Sequence, residues 1–141
     1  MKTIVKSIVL FSVFSVFYVK YANAQIEEPE ITDTTLANQY KKKAEICVEK
    51  ARYDSALVYY RLAEPVYEKN KLWKKYINVL HRMAWIKAEV FKQTEPGMNL
   101  CQKALGTAKK YLDKDSIVFA DIYYTIAVVY MNKSYEEEKA L

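Results

Sequence analysis

The stretch YDSALVYYRLA, at residues 53–63, decides the fold of this chain. Its apolar residues recur at steps of three and four, so that Leu57, Tyr60 and Ala63 share one face of a helix. Asp54 is placed to cap this helix, because its side chain can accept hydrogen bonds from the free N–H groups of a first turn. Pro65 lacks an N–H and its ring crowds the preceding turn, so we expect a kink or an early end there.

The composition outside this stretch is also that of a helical protein. The chain has 141 residues, enough for one domain, and only two glycines and three prolines. A β-sandwich needs turn-forming residues about every ten positions, and this sequence lacks them. The sequence therefore predicts an all-α fold.

Further helices are predicted on both sides of residues 53–63. The apolar period indicates five helices and the start of a sixth, of which the third, from Trp73 to Phe91, is the longest. Capping residues predict two helix starts: Thr32 or Asp33 for the first helix, and Asp115 or Ser116 for the fifth. The fourth helix is predicted to start at Thr94-Glu95-Pro96, with Pro96 at the first helical position. The sixth is predicted from the pair Ser134 and Glu137, which matches a capping box.

Small residues repeat along these helices at a spacing of about 40 residues. In the first helix of each pair they are Ala44, Ala84 and Ala127, and in the second helices they are Ala63 and Ala104. A side chain of one carbon lets two helix backbones approach closely. A period of this size is typical of a solenoid, in which stacked helix pairs bury the faces that one pair leaves open.

These residues resemble the tetratricopeptide-repeat family. Residues 53–63 are similar to the family's Y-x-x-A-L-x-Y-Y-x-x-A second helix, residues 102–112 to the same helix in longer variants, and residues 122–137 to a first helix with the turn after it. The resemblance spans about residues 36–141 and departs from the family pattern at four positions: Pro65, Lys87, Gly97 and Cys101.

The resemblance implies a right-handed α–α superhelix of about two and a half to three helix pairs. The repeats would lie at about 33–70, 71–112 and 115–141, the last one incomplete. An unrelated helical bundle is the alternative.

The N-terminal segment reads as an export signal. Lys2 and Lys6 precede an uncharged, largely apolar run at residues 7–19, which is too short to span a membrane stably. Ala22-Asn23-Ala24 then provides small residues for cleavage after Ala24. We expect residues 1–24 to be a signal peptide, with a retained anchor as the alternative, and acidic residues 25–32 to be a disordered lead-in. The mature chain would be periplasmic or secreted and would have no membrane span.

The remaining residues do not compose an active site. His81 is the only histidine, and we interpret it as a groove-lining or surface residue. Cys47 and Cys101 fall on helices that are not direct neighbours, which favours two buried thiols over a disulfide. No glycine-rich phosphate loop and no metal-ligand pattern is present in the sequence, so we expect no catalysis, metal or cofactor. Without residues 1–24 the chain has 19 basic and 17 acidic residues, a balance that argues against nucleic-acid binding.

The resemblance instead implies a binding surface, here called the candidate groove. In the repeat family the first helices line a concave groove that holds an extended peptide or a helix. Its positions correspond to nine residues here: Asn38, Lys41, Glu45, Asn78, His81, Arg82, Trp85, Tyr124 and Val128.

The expected function is therefore that of a non-catalytic scaffold that binds another protein or peptide. A signal peptide followed by tyrosine-rich repeats also resembles the N-terminal part of larger Bacteroidetes proteins. The alternative is thus a truncated extracytoplasmic input region of a histidine kinase, or the regulatory arm of a CHAT peptidase. Self-association through the unfinished last helix is a further expectation.

Overall fold

In the computed structural model, residues 33–114 and 116–139 are described, and they are almost entirely helical. The helices are α1 (Thr34–Glu49), α2 (Tyr53–Lys69), α3 (Trp73–Trp85), α4 (Thr94–Tyr111) and α5 (Val118–Lys139). A π-helical segment (Ile86–Val90) continues α3. No strand occurs among these residues, which confirms the predicted all-α class. The predicted signal peptide and lead-in, and Asp115 as a cap, lie outside the described residues.

Several predicted helix ends are correct and others are not. Asp33 caps α1, accepting a hydrogen bond from the Thr35 N–H at 2.7 Å. Asp54 does not cap α2, because the helix already begins at Tyr53 and Asp54 lies in its first turn, where a carboxylate still favours the helix dipole. Pro65 does not end α2, which continues to Lys69. Pro96 is the third residue of α4, where its missing N–H has no intrahelical partner to lose.

The predicted sixth helix is wrong as a separate element. α5 passes through Ser134 without a break and continues to Lys139. No glycine or proline interrupts this part of the chain, so Ser134 lies in a helix interior rather than at a cap. Lys133 and Glu137, which are one turn apart with their charged atoms at 3.8 Å, lie on either side of Ser134.

Short turns reverse the chain between α1 and α2 and between α2 and α3. Each turn has one residue with positive φ, Ala51 at 53° and Lys71 at 55°. Around Ala51 the N–H of Arg52 donates to the carbonyl of Cys47, and the N–H of Ala51 donates to the carbonyl of Val48. This pattern is a Schellman motif, which satisfies the last carbonyls of a helix. It recurs around Lys71.

Each helix packs against its neighbours in sequence. α1 packs on α2, α2 on α3, α3 on α4 and α4 on α5, while α5 also contacts α3 and its π segment. Asn38, early in α1, bonds to Tyr67, late in α2, so these two helices are antiparallel. The Trp73 and Tyr111 rings, stacked with centroids 4.0 Å apart, join the start of α3 to the end of α4 in the same way.

The small residues predicted at helix contacts are buried in the first two pairs. Ala44, Ala63, Ala84 and Ala104 are fully buried. Ala127 occupies the corresponding position in α5, the first helix of the third pair, and it is exposed. Four of the five predicted alanines therefore lie at close helix contacts, whereas Ala127 is not covered by any described residue.

The π segment of α3 fits closely against α4 and α5. A Cβ built on Gly97 of α4 would lie only 2.9 Å from the Cβ of Ala88 and 3.3 Å from the carbonyl oxygen of Ala84. From α5, the Asn132 side-chain amide donates to the Ala88 carbonyl at 3.0 Å. The close packing of the second pair therefore depends on a glycine at position 97.

Across the described residues, α1 to α5 are all too short or too polar to reach across a lipid bilayer.

Candidate functional site

The first part of the candidate groove lies where α1 meets the start of α3. Asn38 of α1 accepts two hydrogen bonds at its side-chain oxygen, one from the Tyr67 hydroxyl and one from the Lys75 ammonium, both at 2.9 Å. One turn further along α1, Lys41 forms an ion pair with Glu45. Asn38 of α1 is thus already bonded to the end of α2 and to the start of α3.

Tyr60 is a buried tyrosine of α2 that is influenced by two candidate-groove residues. It is fully buried, and its hydroxyl lies close to the Arg82 side chain without a hydrogen bond of good geometry. Burial raises the pKa of this hydroxyl, the positive charge of Arg82 lowers it in part, and the charge of Glu45 raises it further. The charges of Glu45 of α1 and Arg82 of α3 therefore both act on one buried phenol.

A second unpartnered polar atom lies one turn before Arg82. The side-chain oxygen of Asn78 is buried and has no hydrogen-bond partner within the described part of the chain. Asn78 and Arg82 are four residues apart on α3, so their side chains share one face. A buried acceptor without a donor costs about 1–3 kcal/mol relative to a satisfied one. Asn78 thus provides a buried acceptor on the same face of α3 as Arg82.

His81 connects α3 to α5. Its Nε2 lies 2.9 Å from the hydroxyl oxygen of the fully buried Thr125. That hydroxyl donates to the Asp121 carbonyl at 3.2 Å, and it therefore accepts from the histidine. This network places the proton of the neutral imidazole on Nε2. His81 is half-buried and aligns α5 beside α3, a structural role that the sequence pattern did not specify.

The environment of His81 predicts a pH-dependent stability. Burial lowers its pKa below the ordinary value of 6.5, and the charge of Arg82 lowers it further, whereas the charge and carbonyl of Asp121 oppose the shift. Between the two pKa values the unfolded chain binds more protons than the folded one, so stability is complete above pH 6.5 and falls as the pH drops toward the lower, folded-state pKa.

Urea unfolding between about pH 5 and pH 8 measures this slope. The His81→Gln variant, which keeps a side chain that can donate a hydrogen bond, should lose the part of the slope that His81 contributes. An NMR titration of the single imidazole that gave a pKa above 6.5 would contradict the prediction.

The last three predicted groove residues differ in their surroundings. Trp85 is half-buried and packs edge-on against the Tyr53 ring, with centroids 6.2 Å apart, so it belongs largely to the contact between α3 and α2. Val128 is half-buried on α5. Tyr124 is 65% exposed and is available to a partner.

Both cysteines are free and buried, which agrees with the predicted pair of thiols. Burial raises the pKa of Cys101 to about 11, which keeps it protonated and unreactive near neutral pH. Among the described residues, no group of three or more potential ligands is arranged to hold a metal ion. An open cavity of about 400 Å³ beside Met98 and Tyr130, and one of about 510 Å³ beside Lys74 and Tyr111, are lined by none of the predicted groove residues.

Three residues that were not predicted as site residues interact with the candidate groove: Tyr67 and Lys75 donate to Asn38, and Tyr60 is influenced by the charges of Glu45 and Arg82. The apolar period of α2 places the rings of Tyr60 and Tyr67 on its buried face, and both rings are buried in the structure. Their hydroxyls carry a further signal, since a buried tyrosine normally directs its hydroxyl toward a polar partner. That signal points to the side of α2 where Asn38, Glu45 and Arg82 lie.

No protein-family model, no curated protein and no solved structure matches this chain.

Proposed function

We propose that this chain is a protein-interaction module of the tetratricopeptide-repeat type, without catalysis of its own. Its helix pairs would form a right-handed superhelix, and the faces of α1 and α3 would bind an extended peptide or a helix. The packing of helices against their sequence neighbours and the burial of Ala44, Ala63, Ala84 and Ala104 support this proposal. The signal peptide predicted at residues 1–24 would place this binding outside the cytoplasm.

One observation carries the proposal most strongly: the side-chain oxygen of Asn78 has no hydrogen-bond partner among the described residues. Turned outward from α3, the Asn78 amide would accept from an N–H and donate to a carbonyl of an extended peptide backbone. Arg82 and Glu45, whose charges both act on Tyr60, would add charge preference for the side chains of the guest. Each new hydrogen bond would contribute about 0.5–1.5 kcal/mol, and a charged one about 1.5–3 kcal/mol.

Selection of a phage-displayed random peptide library on the purified chain tests the proposal. We expect enriched peptides whose affinity falls about tenfold, or about 1.4 kcal/mol, in Asn78→Ala and Arg82→Ala. The matched control is Arg61→Ala, since Arg61 is an exposed arginine on α2, outside the candidate groove, and its removal should leave affinity unchanged. Failure to enrich any peptide, or enriched peptides that bind both groove variants as tightly as the unaltered chain, would refute the proposal.

A further inference from the structure

The outer face of α5 is apolar and uncovered. It consists of Tyr123, Tyr124, Tyr130, Met131 and Tyr135 together with the small residues Ala120, Ala127 and Ser134. The tyrosines are 51–65% exposed and Met131 is 72% exposed. The opposite face of the same helix is buried through Ile122, Thr125 and Val129. Because a helix in a folded domain usually exposes charged residues on its open face, this arrangement indicates an interaction surface.

The repeat register supports the same conclusion. Ala44 and Ala84 are buried where α2 and α4 pack against their first helices. Ala127 holds the corresponding position in α5, yet it is exposed. The outer face of α5 therefore has the small residue that elsewhere in this chain marks a helix contact, without a helix against it.

The outer face is complementary to itself. Its small residues Ala120, Ala127 and Ser134 are spaced by seven, so they form one line along the helix. A two-fold axis at Ala127 sets two copies of α5 antiparallel and brings this alanine against its counterpart.

The same axis pairs the other outer-face residues by size. Ala120 then meets Ser134 of the second copy, Tyr123 meets Met131, and Tyr124 meets Tyr130. Small residues along the centre let the two helices approach closely, and the large side chains pack on both sides of that line. No charged residue of the outer face between Ala120 and Tyr135 opposes this contact.

The area available is sufficient for a stable dimer. From their exposed fractions, the four tyrosines and Met131 present about 600 Å² per copy, given about 200 Å² for each large side chain. Complete burial of these side chains in two copies would remove about 1,200 Å² from solvent, and a specific interface needs about 1,000 Å² in total. The small residues along the centre add to this area.

We propose that the outer face of α5 binds a second copy of this chain in an antiparallel, two-fold dimer centred on Ala127. This contact uses the side of α5 opposite to the one that packs on α3 and α4. It rests on the exposed residues of α5 and not on the proposed function.

Sedimentation velocity between about 1 and 100 μM tests the dimer, because an interface near the lower limit of the specific class is expected to associate in a concentration-dependent way. We expect the mass to rise from one chain to two with concentration. Ala127→Glu should leave a monomer throughout, because it places two carboxylates together at the axis. Val58→Glu changes an exposed apolar residue on α2, which is 53% exposed, and should leave the dimer intact. A monomer at every concentration, or an Ala127→Glu variant that dimerises as well as the unaltered chain, would overturn the proposal.

Cysteine cross-linking tests the antiparallel register separately. An Ala120→Cys chain mixed with a Ser134→Cys chain should be joined by a short bismaleimide, since these positions face each other across the axis. Ala120→Cys alone should not be joined to itself, and the native thiols are buried. Efficient cross-linking of Ala120→Cys to itself would show a parallel arrangement and overturn the proposed register.

Discussion

Replacing Gly97 with alanine should lower the free energy of unfolding by about 1–3 kcal/mol, as expected when a close-packed contact is overfilled. The new methyl group would lie 2.9 Å from the Cβ of Ala88 and 3.3 Å from the Ala84 carbonyl oxygen. Neither atom belongs to a flexible side chain, so α4 has to move away from the π segment. This loss exceeds the gain in helix propensity of about 1 kcal/mol that alanine brings over glycine.

Gly106→Ala is the matched control for this prediction, because Gly106 lies in the same helix with no atom within 4 Å of the added methyl group. It should raise the free energy of unfolding by about 0.5–1 kcal/mol through propensity alone. Urea unfolding followed by helical circular dichroism measures both variants. Two changes of the same sign would show that α4 does not press against the π segment as the structure places it.

Replacing Ala84 with leucine should destabilise the protein by about 3 kcal/mol, near the upper end for overpacked cores. Ala84 is fully buried where α3 meets α4, and three added carbons would separate these helices. Ala127→Leu introduces the same change at the corresponding, exposed position and should alter monomer stability by no more than about 0.5 kcal/mol.

Denaturant unfolding at a concentration where the chain is monomeric compares the two leucine variants. Similar losses in both would mean that Ala127 is covered within one chain. That result would contradict the difference between α3, where Ala84 is buried, and α5, where Ala127 is exposed.

Much of the fold follows from the spacing of residues in the sequence. The period of three and four predicts the five helices, and the spacing of about 40 predicts that Ala44, Ala63, Ala84 and Ala104 lie at close helix contacts. Pattern reasoning succeeds at these positions because burial of one helix face is a local requirement that each segment meets separately.

The errors concern features that local patterns do not determine. Ser134 and Glu137 match a capping box, but the same residues fit a helix interior when nothing stops the preceding helix. The π segment at Ile86–Val90 depends on contacts from α4 and α5, which residue spacing does not reveal. Departures from the family pattern at Lys87 and Gly97 mark this region without predicting its form.

The candidate groove stays a prediction, to which the structure adds the neighbours of its residues. Asn38 of α1 contacts Lys75 of α3, and His81 of α3 contacts Thr125 of α5. These neighbours lie far away in sequence, so residue spacing does not reveal them. Trp85 packs on Tyr53, and Asn38 also binds Tyr67, so both groove residues are already engaged within the chain.

The most direct measurement of the proposed binding is an NMR titration of the labelled chain with a peptide from the library selection. We expect amide shift changes at Asn38, Glu45, Asn78 and Arg82, along the faces of α1 and α3. Shift changes confined to the exposed surfaces of α2 and α4, or none at a saturating peptide concentration, would contradict this expectation.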